Sequence, residues 1–138
     1  MEGIRALQNW AKKFDTQRGW DAVLPSDTAV HLMEEAGEVA RELLRLGGYK
    51  PMEKGRSAVR DELGAELADI LFLCAKLANQ YKIDLAGAVA QKIAVNERRF
   101  PPGAGKSEMR RYFAAKKVDW ERLRRGSVRR GRPTHLTF

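Results

Sequence analysis

Between Ala58 and Tyr81 the sequence places apolar residues on most sides of a helical wheel: Val59, Leu63, Leu67, Ile70, Leu71, Phe72, Leu73, Cys74 and Leu77. A helix that is apolar nearly all round has to be surrounded by protein. In a chain of 138 residues that means the centre of a bundle, an interface between subunits, or both. No segment before Pro101 alternates apolar and polar residues at period two over a useful length, so no sheet is expected to cover this helix. Its neighbours must be other helices.

Three further segments fit that requirement. Ile4, Leu7, Ala11 and Phe14 recur at helical spacing, with Trp10 widening the face as an expected core residue. A second helix is expected from Ser26 or Asp27, both good N-caps. It carries Val30, Leu32, Met33, Ala36, Val39, Ala40, Leu43, Leu44 and Leu46, and Gly47-Gly48 ends it. Asp84 can cap a fourth helix with Leu85, Val89, Ile93 and Asn96 on one stripe, stopped by Pro101-Pro102. The stretches Asp15 to Pro25 and Tyr49 to Ser57 hold glycine and proline and read as connections. The expected fold class is all-α, a four-helix bundle over residues 1–101, followed by a basic C-terminal extension over 102–138.

The charge is divided the same way. Eleven of the 26 lysines and arginines, but only three of the 18 acids, lie from Phe100 to Phe138, so the whole net charge of +8 belongs to the tail. The tail carries Tyr112, Phe113 and Trp120, and Ser107 is a candidate cap for a short helix reaching about Arg124. The lone cysteine, Cys74, excludes an intramolecular disulfide and disfavours a thiolate zinc site; its apolar neighbours suggest a small buried hydrophobe. The first residues hold no basic region leading into an apolar run, and the longest apolar stretch, Ile70 to Ala75, is far short of a bilayer span. A soluble cytoplasmic protein without membrane attachment is expected.

In the neutral body two acidic clusters stand out, Glu34-Glu35-Ala36-Gly37-Glu38 and Glu66-Leu67-Ala68-Asp69. Each pairs acids at i and i+3, neighbours on one side of a helix. Two such pairs on facing helices bring four carboxylates around one volume, the all-oxygen donor set that a hard divalent cation takes. Solvated helix faces also carry such pairs. On the second helix Glu38 falls in the polar arc with His31, a surface position, and Glu35 near its apolar edge, so that helix does not decide between the two. On the third, Glu66 falls between Leu73 and Leu77, inside the apolar arc, with Asp69 about 60° away. An ionised carboxylate there needs a bound metal, or else a lysine or arginine partner. Gly37, mid-helix at a cost of about 1 kcal/mol relative to alanine, marks close approach by a ligand or by another helix.

These residues also carry a family resemblance. Glu35-Ala-Gly-Glu38 followed by Glu66-Leu-Ala-Asp69 resembles the E-x-x-E … E-x-x-D signature of the all-α NTP pyrophosphohydrolases, the MazG-like proteins, dimeric dUTPases and dCTP pyrophosphatases. Arg18-Gly19-Trp20 looks like that group's R-D-W loop, with glycine in place of the acid. Lys92 to Pro101 is similar to the K-x-x-x-N-x-x-R-(Y/F)-P ending of the dCTP pyrophosphatase branch. The resemblance covers about residues 1–101. It implies that Glu35, Glu38, Glu66 and Asp69 bind magnesium, with manganese as a substitute, and that a (deoxy)nucleoside triphosphate is cut between its α and β phosphates. It further implies a catalytic role for Glu34 and Glu35 in activating water, a homodimer or homotetramer, and a part in clearing the nucleotide pool.

Physical chemistry runs parallel. A divalent cation neutralises phosphate oxygens and lowers the pKa of a bound water, and an acid free of metal can take that water's proton. Lys92, Asn96 and Arg99 at i, i+4 and i+7 share one helical face suited to phosphate, or else form a solvated one. Trp20 offers a flat face for a nucleobase, against the alternative of a core tryptophan. The rival reading is a helical nucleic-acid-binding module acting through the basic tail; it accounts for the tail and leaves the ordered acid pairs unexplained. A di-iron bundle is disfavoured, because the residues three before His31 and His135 are Thr28 and Arg132, not glutamate.

Overall fold

A computed structural model of the chain describes residues 2–103, 105–106 and 109–117. Four α-helices are labelled in chain order: α1 (Glu2–Thr16), α2 (Pro25–Leu46), α3 (Arg56–Gln80) and α4 (Leu85–Arg99). A single 3-10 turn, Trp20–Ala22, lies between α1 and α2, and residues 109–117 are also helical. No strand occurs among the described residues, and the fold is all-α. The cap assigned to Ser107 and everything after residue 117 lie outside the described residues. The chain divides into two compact units, residues 1–92 and 93–138, so the boundary falls inside α4.

The helix limits follow local chemistry, with two departures from expectation. α2 starts two or three residues early: Leu24, not Ser26 or Asp27, is the N-cap, and Pro25 occupies the first turn. Proline is pre-set for that place because its ring fixes φ and its missing N–H would have had no partner. Asp27 then sits in the first turn rather than capping it, still favourable to the helix dipole. At the other end Gly47 keeps a right-handed conformation and Gly48 takes the left-handed one, at φ +79°. Asp84 caps α4 as expected, its Oδ1 accepting from the Gly87 N–H at 3.2 Å.

In the first unit α3 packs against both α1 and α2. Trp10 and Phe14 of α1 meet Phe72 of α3 at ring-centroid distances of 5.6 and 5.7 Å. Such offset and edge-on aromatic contacts each contribute about 0.5–1.5 kcal/mol beyond area burial. The start of α4 is tied to α1 by Gln8, which donates to the Ile83 carbonyl at 2.6 Å and accepts from the Leu85 N–H at 3.2 Å.

Among the described residues the buried apolar set is small: Ala11, Val59, Leu73, Ala75, Ala78 and Ala86. Trp10, expected in the core, covers the aromatic cluster from outside and is 53% exposed. Cys74 is only partly buried, because the inward positions beside it are taken by Leu73 and Ala75. Leu67 and Leu71 are 48% and 59% exposed. With Cys74 they follow i, i+4, i+7, so one side of the apolar α3 wheel lies open in the single chain.

Candidate active site

α2 and α3 bring three layers together in the first unit, a largely apolar pocket, a cluster of acids and an ionic network. In the middle layer, carboxylate oxygens of Glu35, Glu66 and Asp69 all lie within 4.8 Å of one another. Two oxygens bound to one cation at about 2.0–2.6 Å stand at most about 4–5 Å apart, so this trio has nearly the spacing of a hard-ion site. Oxygen-only donors select magnesium, manganese or calcium over softer metals.

The electrostatics of Glu66 agree with that fit. Its carboxyl is held above its usual pKa, first by burial and then by the charge of Glu38, by hydrogen bonding and charge from Glu35, and by Asp69. Crowded acids of this kind lack a positive charge at their centre, which a cation supplies. Glu38 stands near enough to act on Glu66 but is itself ion-paired with Arg41 one turn on, outside the trio. Glu34 is exposed. Among the described residues Gly37 does not mark a helix crossing: a Cβ built there meets nothing within 4 Å.

Toward the N-terminus of α2, a pocket of about 340 Å³ is lined by Trp20, Val23, Asp27, Thr28, His31, Phe72, Leu73 and Lys76. It is mainly apolar with a few polar groups, as small-molecule sites are. His31 connects it to the acids, its Nε2 lying 2.9 Å from Glu35 Oε1. On α3, Leu73 follows Asp69 by one turn, so both helices carry the pocket directly into the acid layer. Trp20 stands edge-on to Phe14 at 5.7 Å and remains about half exposed.

Toward the C-terminus of α2 the third layer is a closed ionic network. Glu42 is 1% exposed and accepts from Arg45 at 2.8 and 3.0 Å and from Arg41 at 3.2 Å. Burial, the largest single influence, acts to raise its pKa, but the hydrogen bonds and the charges of Arg45 and Arg41 together outweigh it and hold the carboxyl below the usual carboxylate value. Arg45 also reaches Glu62 of α3 at 3.7 Å, and Lys54 pairs with Glu62. Glu42 is thus a buried acid with arginine partners; among the described residues no arginine or lysine pairs with Glu66.

Lys92, Asn96 and Arg99 are exposed on α4. Lys92 belongs to the unit that holds the acids, Asn96 and Arg99 to the other. Two groups escaped the sequence reading. The His31–Glu35 contact is an i, i+4 pair and was open to detection by spacing. The buried pair Asp15–Lys76, at 3.2 Å, joins distant segments and leaves no local signal beyond a lone lysine in an apolar helix.

Acids from two helices beside an apolar pocket, in an all-α fold, make an arrangement in which a divalent cation and an organic ligand could be held side by side. The family follows from comparison. Residues 25–103, more than half of the chain, match the MazG nucleotide pyrophosphohydrolase domain, and the chain belongs to that family. An uncharacterized protein of Bacillus subtilis, YvdC, is 37% identical over 82 residues, 56% of this chain and 77% of that one. Human dCTP pyrophosphatase 1 is 32% identical over 114 residues, 81% of this chain and 65% of that protein. Its Bos taurus counterpart is 36% identical over 107 residues, 73% of this chain and 59% of that protein. The chain thus spans somewhat under two thirds of the two pyrophosphatases. Among the described residues no helix is long and apolar enough to cross a membrane.

Proposed function

We propose that this chain hydrolyses a (deoxy)nucleoside triphosphate between its α and β phosphates, releasing a monophosphate and pyrophosphate, with magnesium or manganese as cofactor. The observation that carries the proposal is the convergence of Glu35, Glu66 and Asp69 from two helices. Glu38, paired with Arg41, would be the fourth acid available to hold the cation. The metal supplies neutralisation of phosphate charge and a lowered pKa for water. Glu35 and Glu34 hold the attacking water, and Glu34, outside the trio, accepts its proton. Trp20 stacks on the base, while Lys92, Asn96 and Arg99 bind the phosphate chain.

The working form is a homodimer or homotetramer. The open stripe Leu67–Leu71–Cys74 and the 70% exposure of both Val30 and Met33 favour burial against further copies. Nucleotide-pool clean-up is the role that this activity suits, with the cytoplasm as the proposed compartment. The relatives' name makes dCTP the first substrate to try.

The test is a panel of canonical and modified nucleoside triphosphates with magnesium, with monophosphate and pyrophosphate assayed separately. Equimolar monophosphate and pyrophosphate are expected. A diphosphate with inorganic phosphate would place the chain in another hydrolase class.

A further inference from the structure

Asp15 and Lys76 are 4% and 6% exposed, yet neither belongs to the acid layer. Their contact, Nζ to Oδ1 at 3.2 Å, joins the end of α1 to α3. Asp15 Oδ1 nevertheless has no aligned hydrogen bond, so this is a charge contact of modest quality. A buried pair of this kind often contributes no more stability than apolar residues of the same volume. Its distinguishing feature is what else Lys76 holds. The same ammonium donates to the Trp20 carbonyl at 3.2 Å, lies 6.0 Å from the Trp20 ring centroid and lines the pocket. One turn further along α3, Gln80 donates to the Val23 carbonyl at 2.8 Å. Lys76 and Gln80, at i and i+4, therefore grip the two ends of the 3-10 turn that presents Trp20.

We propose that Lys76, anchored by Asp15, and Gln80 are positioning residues that clamp the Trp20 turn to the helix carrying Glu66 and Asp69, fixing the separation between the base-stacking wall and the metal ligands. The inference rests on the reading of Trp20 as the base contact. Lys76 follows Asp69 by seven residues on one continuous helix, a rise of about 10 Å. That helix acts as a ruler: a nucleotide must reach from the stacking face to the acid layer, and the clamp keeps the distance from varying. Asn79 supplies an internal control, since it donates to the Gln8 carbonyl at 3.0 Å and ties α3 to α1 without touching the turn.

The experiment compares the full chain with Lys76→Met, the neutral double variant Asp15→Asn/Lys76→Met, Gln80→Leu, Lys76→Arg, Asn79→Ala and Trp20→Ala. KM and kcat are measured with magnesium and each of the four canonical deoxynucleoside triphosphates. Clamp variants are expected to raise KM about three- to tenfold, the size of a lost aromatic contact, with kcat unchanged. Lys76→Arg should recover most of the loss, and Asn79→Ala should lower the melting temperature while leaving KM alone. The double variant avoids a stranded buried charge, and Gln80→Leu leaves the ion pair intact, so the test survives a failure of Lys76→Met to fold. Unchanged KM in Gln80→Leu and in the double variant, with KM raised in Trp20→Ala, overturns the clamp and spares the stacking role. Unchanged KM in Trp20→Ala overturns the stacking role, and the clamp with it.

Discussion

His31 Nε2 lies 2.9 Å from Glu35 Oε1, so one histidine of the apolar pocket also touches a carboxylate of the acid trio. The contact restrains the Glu35 carboxylate from the pocket side. Groups that hold a metal ligand in place typically change metal affinity by about 10–100-fold when removed. His31→Ala is therefore expected to weaken manganese binding by about tenfold or more while circular dichroism stays that of the folded protein. Equal affinity would make His31 a lining residue of the pocket only.

Glu38 and Asp69 come from different helices, and one of them begins in an ion pair with Arg41. If both act on the cation, Glu38→Ala and Asp69→Ala each lower turnover by more than the roughly 10–100-fold that an outer partner contributes, without loss of helicity. Retained turnover in Glu38→Ala alone would leave the Arg41 pair as that residue's role.

Glu42 predicts an acid limit to stability. Its carboxyl is depressed in the folded chain, so its contribution is present above the unfolded pKa and is lost as pH falls through the folded one. Melting temperatures followed from neutral pH down through the carboxylate range should fall for the natural chain. Glu42→Gln should start lower and show a flatter slope in that acid window.

Glu66 has the opposite sign. Its raised pKa makes the ionised form unfavourable in the folded chain, so its stability contribution is complete below the unfolded pKa and is lost as pH rises through the folded one. A cation binds the ionised form and removes that cost. The rise in melting temperature on adding magnesium should therefore grow with pH across the weakly acidic range, and Glu66→Gln should flatten that dependence.

How far the sequence discloses this architecture depends on the range of each interaction. The four helices and the acid pairs are legible because 3.6-residue periodicity and i, i+3 spacing act within a turn or two. Glu66 inside an apolar arc foretells its partial burial and crowding for the same reason. Trp10 and Cys74 mislead because a wheel shows which residues are apolar but not whether the chain itself or another copy covers them. The α2 start misleads because Pro25 outranks two good N-cap residues by fixing φ. The Asp15–Lys76 pair and the turn it holds depend on tertiary proximity alone, so no pattern along the chain announces them.

The shared claim beneath these expectations is that acids of α2 and α3 hold one population of divalent ions between them. Manganese titration followed by electron paramagnetic resonance reads this directly, in the natural chain and in Glu35→Gln and Glu66→Gln, which alter one acid on each helix. Specific binding by the natural chain and strong weakening by either substitution is the predicted result. Affinity unaffected by both substitutions would contradict it, because the carboxylates would then be neighbours without a common ligand.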